Sequence, residues 1–325
     1  MLFPRKKLRL ILTVLFSVFL LASCADKSVQ GGEDAPYYSF TDSVGNEVVL
    51  SQKPQNVAVL FSSFADVWQT AGGEIEITVG EGIERGFAAE DTKLVDEGAG
   101  KSINTELLLS YEPDFILASA DIEGQVKTAK QLSDAGIPTA LFHVECFDDY
   151  LAMLKICTDI TENADAYQTF GVDVKSEIDA LMDERKDIPL SEQPQILFIR
   201  AGSSYSSTKA KTAEDHFACQ MLKELGTVNI AEKAPLLLDG LSLEEILLSD
   251  PDYIFISTMG KEQAAKEYMN SVLEDETWQT LSAIRNGNYT YLPKELFQFK
   301  PNARWAEAYR YLAALLDGIA ETDAK

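Results

Sequence analysis

The residues in this sequence best suited to chemistry are cations that follow predicted strands. They are Arg85, Arg200, Lys209, Lys211 and Arg304. Ligands of open α/β sheets bind beyond the carboxyl ends of the strands, so these side chains are expected to line a common cleft. Converging cations suit an anionic ligand, because a guanidinium offers a planar fork of donors to carboxylate or catecholate oxygens. For each cation taken alone, the alternative is a solvated loop charge.

Two further side chains, Tyr205 and His143, are candidates for the same cleft. Tyr205 would supply an aromatic wall, and His143 follows a predicted strand. For His143, the alternatives are a structural role and an axial ligand of haem iron. The sequence has only two histidines, His143 and His216, and neither has a partner at zinc spacing. The sequence therefore predicts no metal site and no cofactor of the protein's own.

The net charge of the chain limits the kinds of partner that it can bind. The chain has 325 residues, with 28 Lys and Arg against 52 Asp and Glu, a net charge of −24. Nucleic-acid binding is disfavoured, because the phosphate backbone requires a positive surface. The length suggests two domains at roughly 100–200 residues each. Without residues 1–23, which carry four bases and no acid, the count becomes 24 bases and 52 acids, a net charge of −28.

The first 23 residues are typical of an export signal. A basic start precedes an apolar run over 10–22, which is too short to span a bilayer. The run ends in Leu-Ala-Ser-Cys24, which resembles a bacterial lipobox and implies cleavage before Cys24 and a lipid on its thiol. The alternative is an ordinary signal peptide. Residues 24–37 are then a flexible tether, and the protein is expected outside the cytoplasm, anchored to the cell membrane.

Strand and helix patterns alternate on both sides of one long helical segment. Short apolar runs separated by helical patterns predict βαβ units and a mostly parallel sheet. Over 164–185, apolar residues recur at helical spacing, namely Ala166, Phe170, Val174, Ile178 and Leu181. The predicted organisation is an N-terminal α/β lobe (38–162), a linking helix (163–187) and a C-terminal α/β lobe (188–325).

An internal repeat relates the two lobes. Residues 104–117 (NTELLLSYEPDFIL) match residues 242–255 (SLEEILLSDPDYIF) without a gap. Each copy predicts a helix cap, a short helix, a Pro-Asp turn and a buried strand. Ser242 and Glu245 have the spacing of a capping box. Each copy also places an acid two residues after its cap, at Glu106 and Glu244.

The order of these motifs resembles a known family, the substrate-binding proteins of ABC importers for ferric siderophores, haem and cobalamin. Besides the two repeat copies, the matching segments are 42–50 (DSVGNEVVL), 54–60 (PQNVAVL), 131–138 (QLSDAGIP) and 278–289 (WQTLSAIRNGNY). The resemblance covers residues 38–318. It implies two Rossmann-like lobes with central, mostly parallel sheets, bridged by a single long α-helix.

The resemblance also implies a partner and the residues that contact it. In this family, one glutamate on each lobe docks onto arginines of the permease dimer, and the matching positions are Glu106 and Glu244. The alternative is that either acid only stabilises its helix, because an acid in the first turn is favoured by the helix dipole.

The function expected on these grounds is that of a monomeric, lipid-anchored receptor. It would capture an iron chelate, a ferric siderophore, between the lobes and deliver it to an ABC permease with its ATPase, without catalysis. Cobalamin or haem is the alternative ligand. An extracytoplasmic α/β enzyme is a further alternative, but residues 202–205 lack the spacing of a nucleophile elbow.

Overall fold

The structure is a computed structural model that describes residues 35–96, 102–233 and 242–323. The expected signal at 1–23, the Cys24 lipidation site and most of the expected tether lie outside these residues. None of the helices within these ranges is long and apolar enough to cross a bilayer. The residues from Pro36 onward form one compact unit.

The first lobe contains a parallel sheet of five strands in the order β5-β4-β3-β6-β7. Its strands are β3 (Val57–Val59), β4 (Ile77–Thr78), β5 (Lys93–Leu94), β6 (Phe115–Ser119) and β7 (Thr139–Phe142). Its helices are α1 (Ser62–Thr70), α2 (Gly80–Glu84), α3 (Thr105–Ser110) and α4 (Glu123–Asp134). Strands β3 and β6 are buried along their whole length, as expected for strands covered by helices on both faces.

An antiparallel hairpin precedes this sheet. Strands β1 (Tyr38–Thr41) and β2 (Glu47–Leu50) pair around a turn held by Asp42. One Asp42 carboxylate oxygen accepts hydrogen bonds from the backbone N–H groups of Val44 (3.1 Å) and Asn46 (2.8 Å). The other accepts from the N–H of Leu141 in β7 (3.0 Å). The same buried carboxylate therefore forms the turn and fastens the hairpin to the first lobe.

A long helical segment connects the lobes. Helix α5 (Phe147–Thr161) ends at Glu162 (φ 62°), and Asn163 caps the next helix. That helix runs through α6 (Ala164–Tyr167), a π-helical turn (Gln168–Val172) and α7 (Asp173–Arg185). The π-helical turn adds a residue to the local repeat, which explains why Phe170 is 37% exposed although the spacing places it on the buried face.

The second lobe contains a sheet in the order β10-β8-β11-β12, with β9 antiparallel to β8 and the other pairs parallel. Its strands are β8 (Gln195–Ala201), β9 (Lys209–Ala210), β10 (Val228–Asn229), β11 (Tyr253–Thr258) and β12 (Tyr289–Tyr291). Its helices are α8 (Phe217–Glu224), α9 (Leu243–Ser249), α10 (Glu262–Leu273), α11 (Ser282–Arg285), α12 (Lys294–Phe297) and α13 (Trp305–Asp323). The α/β class with two lobes, predicted from the sequence, is confirmed.

One hydrophobic cluster contains buried residues from both sheets and from α5, α8 and α13. Trp305 is fully buried within it. Its indole makes edge-to-face contacts with Phe147 (6.3 Å between ring centroids) and Phe217 (5.5 Å). Phe147 belongs to α5 and Phe217 to α8, so this tryptophan packs between elements that adjoin the two lobes.

The sequence repeat is also a structural repeat. Over 105–112 and 243–250, buried, intermediate and exposed positions occur in the same order. Glu112 and Asp250, at matching positions, both have positive φ (51° and 39°). The predicted capping box at Ser242 is wrong, because its side chain accepts no hydrogen bond. The S-x-x-E pattern specifies residue types, but not the side-chain rotamer that a cap requires.

The aspartate after each repeat helix has the same structural role. Asp114 accepts hydrogen bonds from the backbone N–H groups of Gln55 (2.7 Å) and Asn56 (2.9 Å), and Asp252 accepts from that of Gln195 (2.7 Å). Each carboxylate thereby ties the turn before one strand to the residues that precede or begin the neighbouring strand.

We expect Asp114→Ala to lower the free energy of unfolding by about 2 kcal/mol, because two charge-assisted hydrogen bonds are lost. Urea unfolding followed by circular dichroism measures the change. Asp91→Ala is the matched control, since the exposed Asp91 makes no hydrogen bond or ion pair within the described ranges. Equal stability of the two variants would contradict the role given to Asp114.

Candidate functional site

The carboxyl edges of the two sheets meet at the segment 299–302, which follows α12 in the second lobe. The Asn302 side-chain amide donates hydrogen bonds to the Ser63 carbonyl (2.7 Å) and to an Asp66 carboxylate oxygen (2.8 Å). Lys300 Nζ lies 2.9 Å from Glu145 Oε1. Because the residues of the first lobe in these contacts follow β3 and β7, the segment joins one carboxyl edge to the other.

Arg85 lies at the first-lobe side of this junction. Its guanidinium donates hydrogen bonds to the hydroxyls of Ser62 (2.9 Å) and Ser63 (3.1 Å). The guanidinium also lies over the rings of Phe87 (4.7 Å to the centroid) and Phe299 (3.9 Å). Burial lowers the pKa of Arg85, although nearby carboxylates oppose that shift. Arg85 forms no ion pair with the described residues, so its charge is held by hydroxyls and aromatic rings.

An imidazole and two carboxylates, here called the acidic group, lie together beyond β6 and β7. They are Asp121, His143 and Glu145, whose potential ligand atoms all lie within 4.8 Å of one another. His143 Nδ1 is 2.5 Å from Asp121 Oδ1. These side chains could coordinate a divalent cation, but Glu145 is already paired with Lys300.

A second set, here called the cationic group, surrounds His216 in the second lobe. It consists of Arg200, Lys211 and Lys300. Burial, together with these three positive charges, lowers the pKa of His216 to about 3. The ring of His216 packs against Phe198 (4.6 Å between centroids), and its Nδ1 accepts a hydrogen bond from the Ala218 N–H. His216 is therefore neutral at physiological pH, and it adds no positive charge to the group.

Several polar atoms near the cationic group are buried without a partner. Arg200 and Ser257 lie in register on neighbouring strands, and each continues the strand face that carries Phe198 and Phe255. Among the described residues, Arg200 Nε and Ser257 Oγ have no hydrogen-bond partner; neither does Thr258 Oγ1, which lies on the opposite face of the sheet. Buried polar groups are nearly always hydrogen-bonded. The end of β8 and β11 is thus chemically incomplete and suited to receive acceptor oxygens.

The two predicted lysines lie beside Arg200. Lys209 is in register with Arg200 across the β8–β9 pair and is half-buried. The Lys211 ammonium lies 3.1 Å from an Asp215 carboxylate oxygen, and its side chain is only 13% exposed. The structure therefore brings Arg200, Lys209 and Lys211 together, with Lys211 already ion-paired.

Two other predicted ligand residues lie in different surroundings. Arg304 makes a bidentate contact with Glu307 (2.7 and 2.8 Å), which raises its pKa and occupies its donor fork. Tyr205 is 62% exposed and lines a pocket of about 340 Å³ with Tyr268 and Trp278. Trp278 packs in the cluster on the Ile199 face of the sheet. Since neighbouring residues of a strand face opposite sides, this pocket lies away from Arg200.

Glu106 and Glu244 are both exposed, each as the second residue of its helix, α3 and α9. Neither forms an ion pair or a side-chain hydrogen bond with a residue that the structure describes. Helices that connect parallel strands run antiparallel to them, so these helices begin at the carboxyl edges of their sheets. Both acids therefore lie toward the edges at which the lobes meet.

Lys300 links the two groups. The ligand residues predicted from the sequence do not include Lys300, Asp121, Glu145 or Ser257, although Asp121 and Lys300 follow predicted strands. All four follow or end a strand at the carboxyl edge, which is the signal that could have identified them. Lys300 pairs with Glu145 and also lies near His216. The acidic group and the cationic group are therefore connected through this one side chain.

We expect His216 to make stability pH-dependent. The unfolded chain protonates this residue near pH 6.5, whereas the folded protein keeps it neutral down to about pH 3. The unfolded state binds the additional proton in that window, so the free energy of unfolding falls as the pH falls. His216→Asn, which preserves a capping side chain, should reduce the slope by up to about 1.4 kcal/mol per pH unit. Urea unfolding between about pH 6.5 and about pH 4.5 tests this, and parallel slopes would contradict it.

Comparison with known proteins places this geometry in a family. The chain is 21% identical over 286 residues to the uncharacterized ABC transporter substrate-binding lipoprotein YvrC of Bacillus subtilis (strain 168), covering 84% of this chain and 85% of that protein.

Two solved structures share the fold. One is Staphylococcus aureus SirA complexed with staphyloferrin B, with a TM-score of 0.62, 19% identity, and coverage of 87% of this chain and 97% of that chain. The other is the periplasmic vitamin B12 binding protein BtuF of Vibrio cholerae, with a TM-score of 0.66, 18% identity, and coverage of 82% and 98%. Residues 57–296 match the profile of the family described as periplasmic binding protein. The resemblance found in the sequence is thus confirmed, and the chain belongs to the periplasmic binding protein family.

Proposed function

We propose that this protein is the substrate-binding component of an ABC importer and that it captures an anionic metal chelate, a ferric siderophore, between its lobes. The observation that carries the proposal is the incomplete polar edge of the second sheet, where Arg200 and Ser257, in register on one face, have buried atoms without partners among the described residues. Carboxylate or catecholate oxygens would satisfy these atoms. Lys209 and Lys300 lie at the same edge and add positive charge in a strongly acidic protein.

The names of the related proteins support this assignment. One relative is named as an ABC transporter substrate-binding lipoprotein, and two proteins of the same fold bind staphyloferrin B and vitamin B12. The family consists of solute-binding proteins, so the proposed process is binding without bond formation. The junction at 299–302 and the shared core favour a largely preformed cleft with modest closure.

Cobalamin and haem are the alternative ligands. Cobalamin carries less negative charge and would favour aromatic walls over the cationic group. Haem would suit an axial histidine, and His143, whose Nδ1 is hydrogen-bonded to Asp121, would offer its Nε2. A bare metal ion is disfavoured, because binding at the acidic group would have to displace Lys300 from Glu145.

The proposed cellular setting follows from the N-terminal sequence. Residues 1–23 would be removed as a signal, and Cys24 would carry the lipid that anchors the protein outside the cytoplasm. Glu106 and Glu244 would dock onto the permease dimer, one from each lobe of a monomeric receptor. A pair of exposed acids suits reversible docking, because exposed ion pairs contribute little affinity individually but define orientation.

We expect a ferric siderophore to quench the tryptophan fluorescence of residues 25–325 and Arg200→Ala to weaken binding at least about tenfold, through loss of a charged donor at the buried edge. A titration with carboxylate and catecholate ferric siderophores, haem and cobalamin measures both effects. Arg285→Ala is the matched control, since Arg285 precedes β12 and lies at the opposite edge of the same sheet. Tight binding of cobalamin without any siderophore response would refute the ligand assignment.

We expect charge reversal at the docking acids, Glu106→Lys with Glu244→Lys, to abolish chelate uptake by cells without changing the affinity for the chelate. The reason is that lysine would face the arginines of the permease. Uptake of radiolabelled iron chelate and a fluorescence titration give the two readouts. Glu192→Lys serves as control, because Glu192 is exposed near the opposite edge of the second sheet. A loss of chelate affinity would instead place the two acids in the ligand site.

A further inference from the structure

We propose that each docking glutamate belongs to a larger contact face whose apolar part is an exposed leucine, Leu109 in the first lobe and Leu247 in the second. This inference rests on the proposed function, because the partner is the permease. It assigns the apolar contact to the leucines and the orientation to the acids.

The two leucines occupy equivalent, exposed positions. Leu109 is 42% exposed and Leu247 is 36% exposed, although large apolar side chains are usually buried. Each follows its glutamate by three residues, a spacing that puts both side chains on one face of a helix. The residue between them that faces the core, Leu108 or Ile246, is fully buried. The exposed leucine is therefore a repeated surface feature rather than a displaced core residue.

The second lobe presents a larger apolar face than the first. Leu248 is 81% exposed and follows Glu244 by four residues, which is also a same-face spacing. Its counterpart in the first lobe is Ser110, whose hydroxyl is bonded to the Leu107 carbonyl. The repeat thus conserves one leucine in each face and adds a second leucine on one side only.

Charge and symmetry identify the occupant of these faces. Each face combines a carboxylate, unpaired within the described residues, with an apolar side chain, so the partner must offer a basic group beside an apolar depression, twice. A dimer with two-fold symmetry supplies two equivalent contacts of this kind. A second copy of this chain would bring like charges together, and an anionic lipid surface would repel the carboxylates. A permease dimer with basic outer loops meets both requirements.

Exposed ion pairs contribute little to affinity because both partners are well hydrated when free. Apolar side chains that become buried in the centre of an interface supply most of the binding energy. In each face, the leucine would therefore supply binding energy and the neighbouring glutamate would define the orientation of the partner. This division predicts that the contributions of the leucines and of the acids respond differently to salt.

The test measures the dissociation constant between the mature chain (residues 24–325) and the permease–ATPase complex of its host, both in one detergent. The importers of the host are first screened with the wild-type protein to find the one that binds it. We expect Leu109→Ala and Leu247→Ala each to raise the dissociation constant about fivefold to tenfold. Leu247→Ala with Leu248→Ala should raise it further than Leu109→Ala does. Leu190→Ala is the matched control, since Leu190 is 74% exposed and belongs to neither face, and its effect should stay below about twofold.

The salt dependence separates the two contributions. Between about 50 mM and about 500 mM NaCl, the leucine variants should keep the wild-type salt dependence, whereas Glu106→Gln and Glu244→Gln should reduce it. If the leucine variants bind like wild type while Glu106→Lys and Glu244→Lys lose binding, the apolar contact is refuted and the docking acids stand. If no importer binds the wild-type chain, or if reversal of both acids leaves binding intact, the proposed docking function itself is refuted.

Discussion

The hydrophobic cluster that spans the two lobes is the constraint on which the rest of the structure depends. Trp305 is fully buried between Phe147 and Phe217, and replacing a buried aromatic of this size typically costs about 3–5 kcal/mol. Because elements of both lobes pack on this tryptophan, their sheets are held with the carboxyl edges toward each other. This arrangement is enough to bring together the polar residues that follow the strands. A wide opening of the lobes would expose the hydrophobic core.

The carboxyl edge of the second sheet brings together several cations of an acidic protein. Lys300 is paired with Glu145 on one side and contributes to lowering the pKa of His216 on the other, so a single side chain connects the acidic and cationic groups. Keeping His216 neutral by burial leaves Arg200 free of an additional positive neighbour. An anionic ligand would therefore find Arg200 positioned by the fold and not paired with a carboxylate of the described residues, whereas Arg304 is paired with Glu307.

Local patterns predicted the elements well, whereas contacts between elements were beyond reach. The helix over 164–185 follows from the spacing of Ala166, Val174 and Ile178, all of which are buried. The exposed Phe170 does not, because a π-helical turn cannot be read from apolar spacing. The pairing of Asp121 with His143 depends on which strands are neighbours, and that is a tertiary property. Tyr205 shows the converse, since following the same strand as Arg200 did not bring it to the same face of the sheet.

The lobes are alike at the surface where a symmetric partner would bind and unlike where the cargo would bind. Glu106 and Glu244 occupy matching positions in helices with the same burial pattern. At the carboxyl edges the similarity ends, because Asp121 and Glu145 follow strands of the first lobe, whereas Arg200 lies at the end of β8 in the second lobe. A permease dimer would require two equivalent contacts, whereas a chelate need not present the same groups to both lobes. Under the proposed function, the ligand would turn its anionic oxygens toward the second lobe, where the partnerless donors lie.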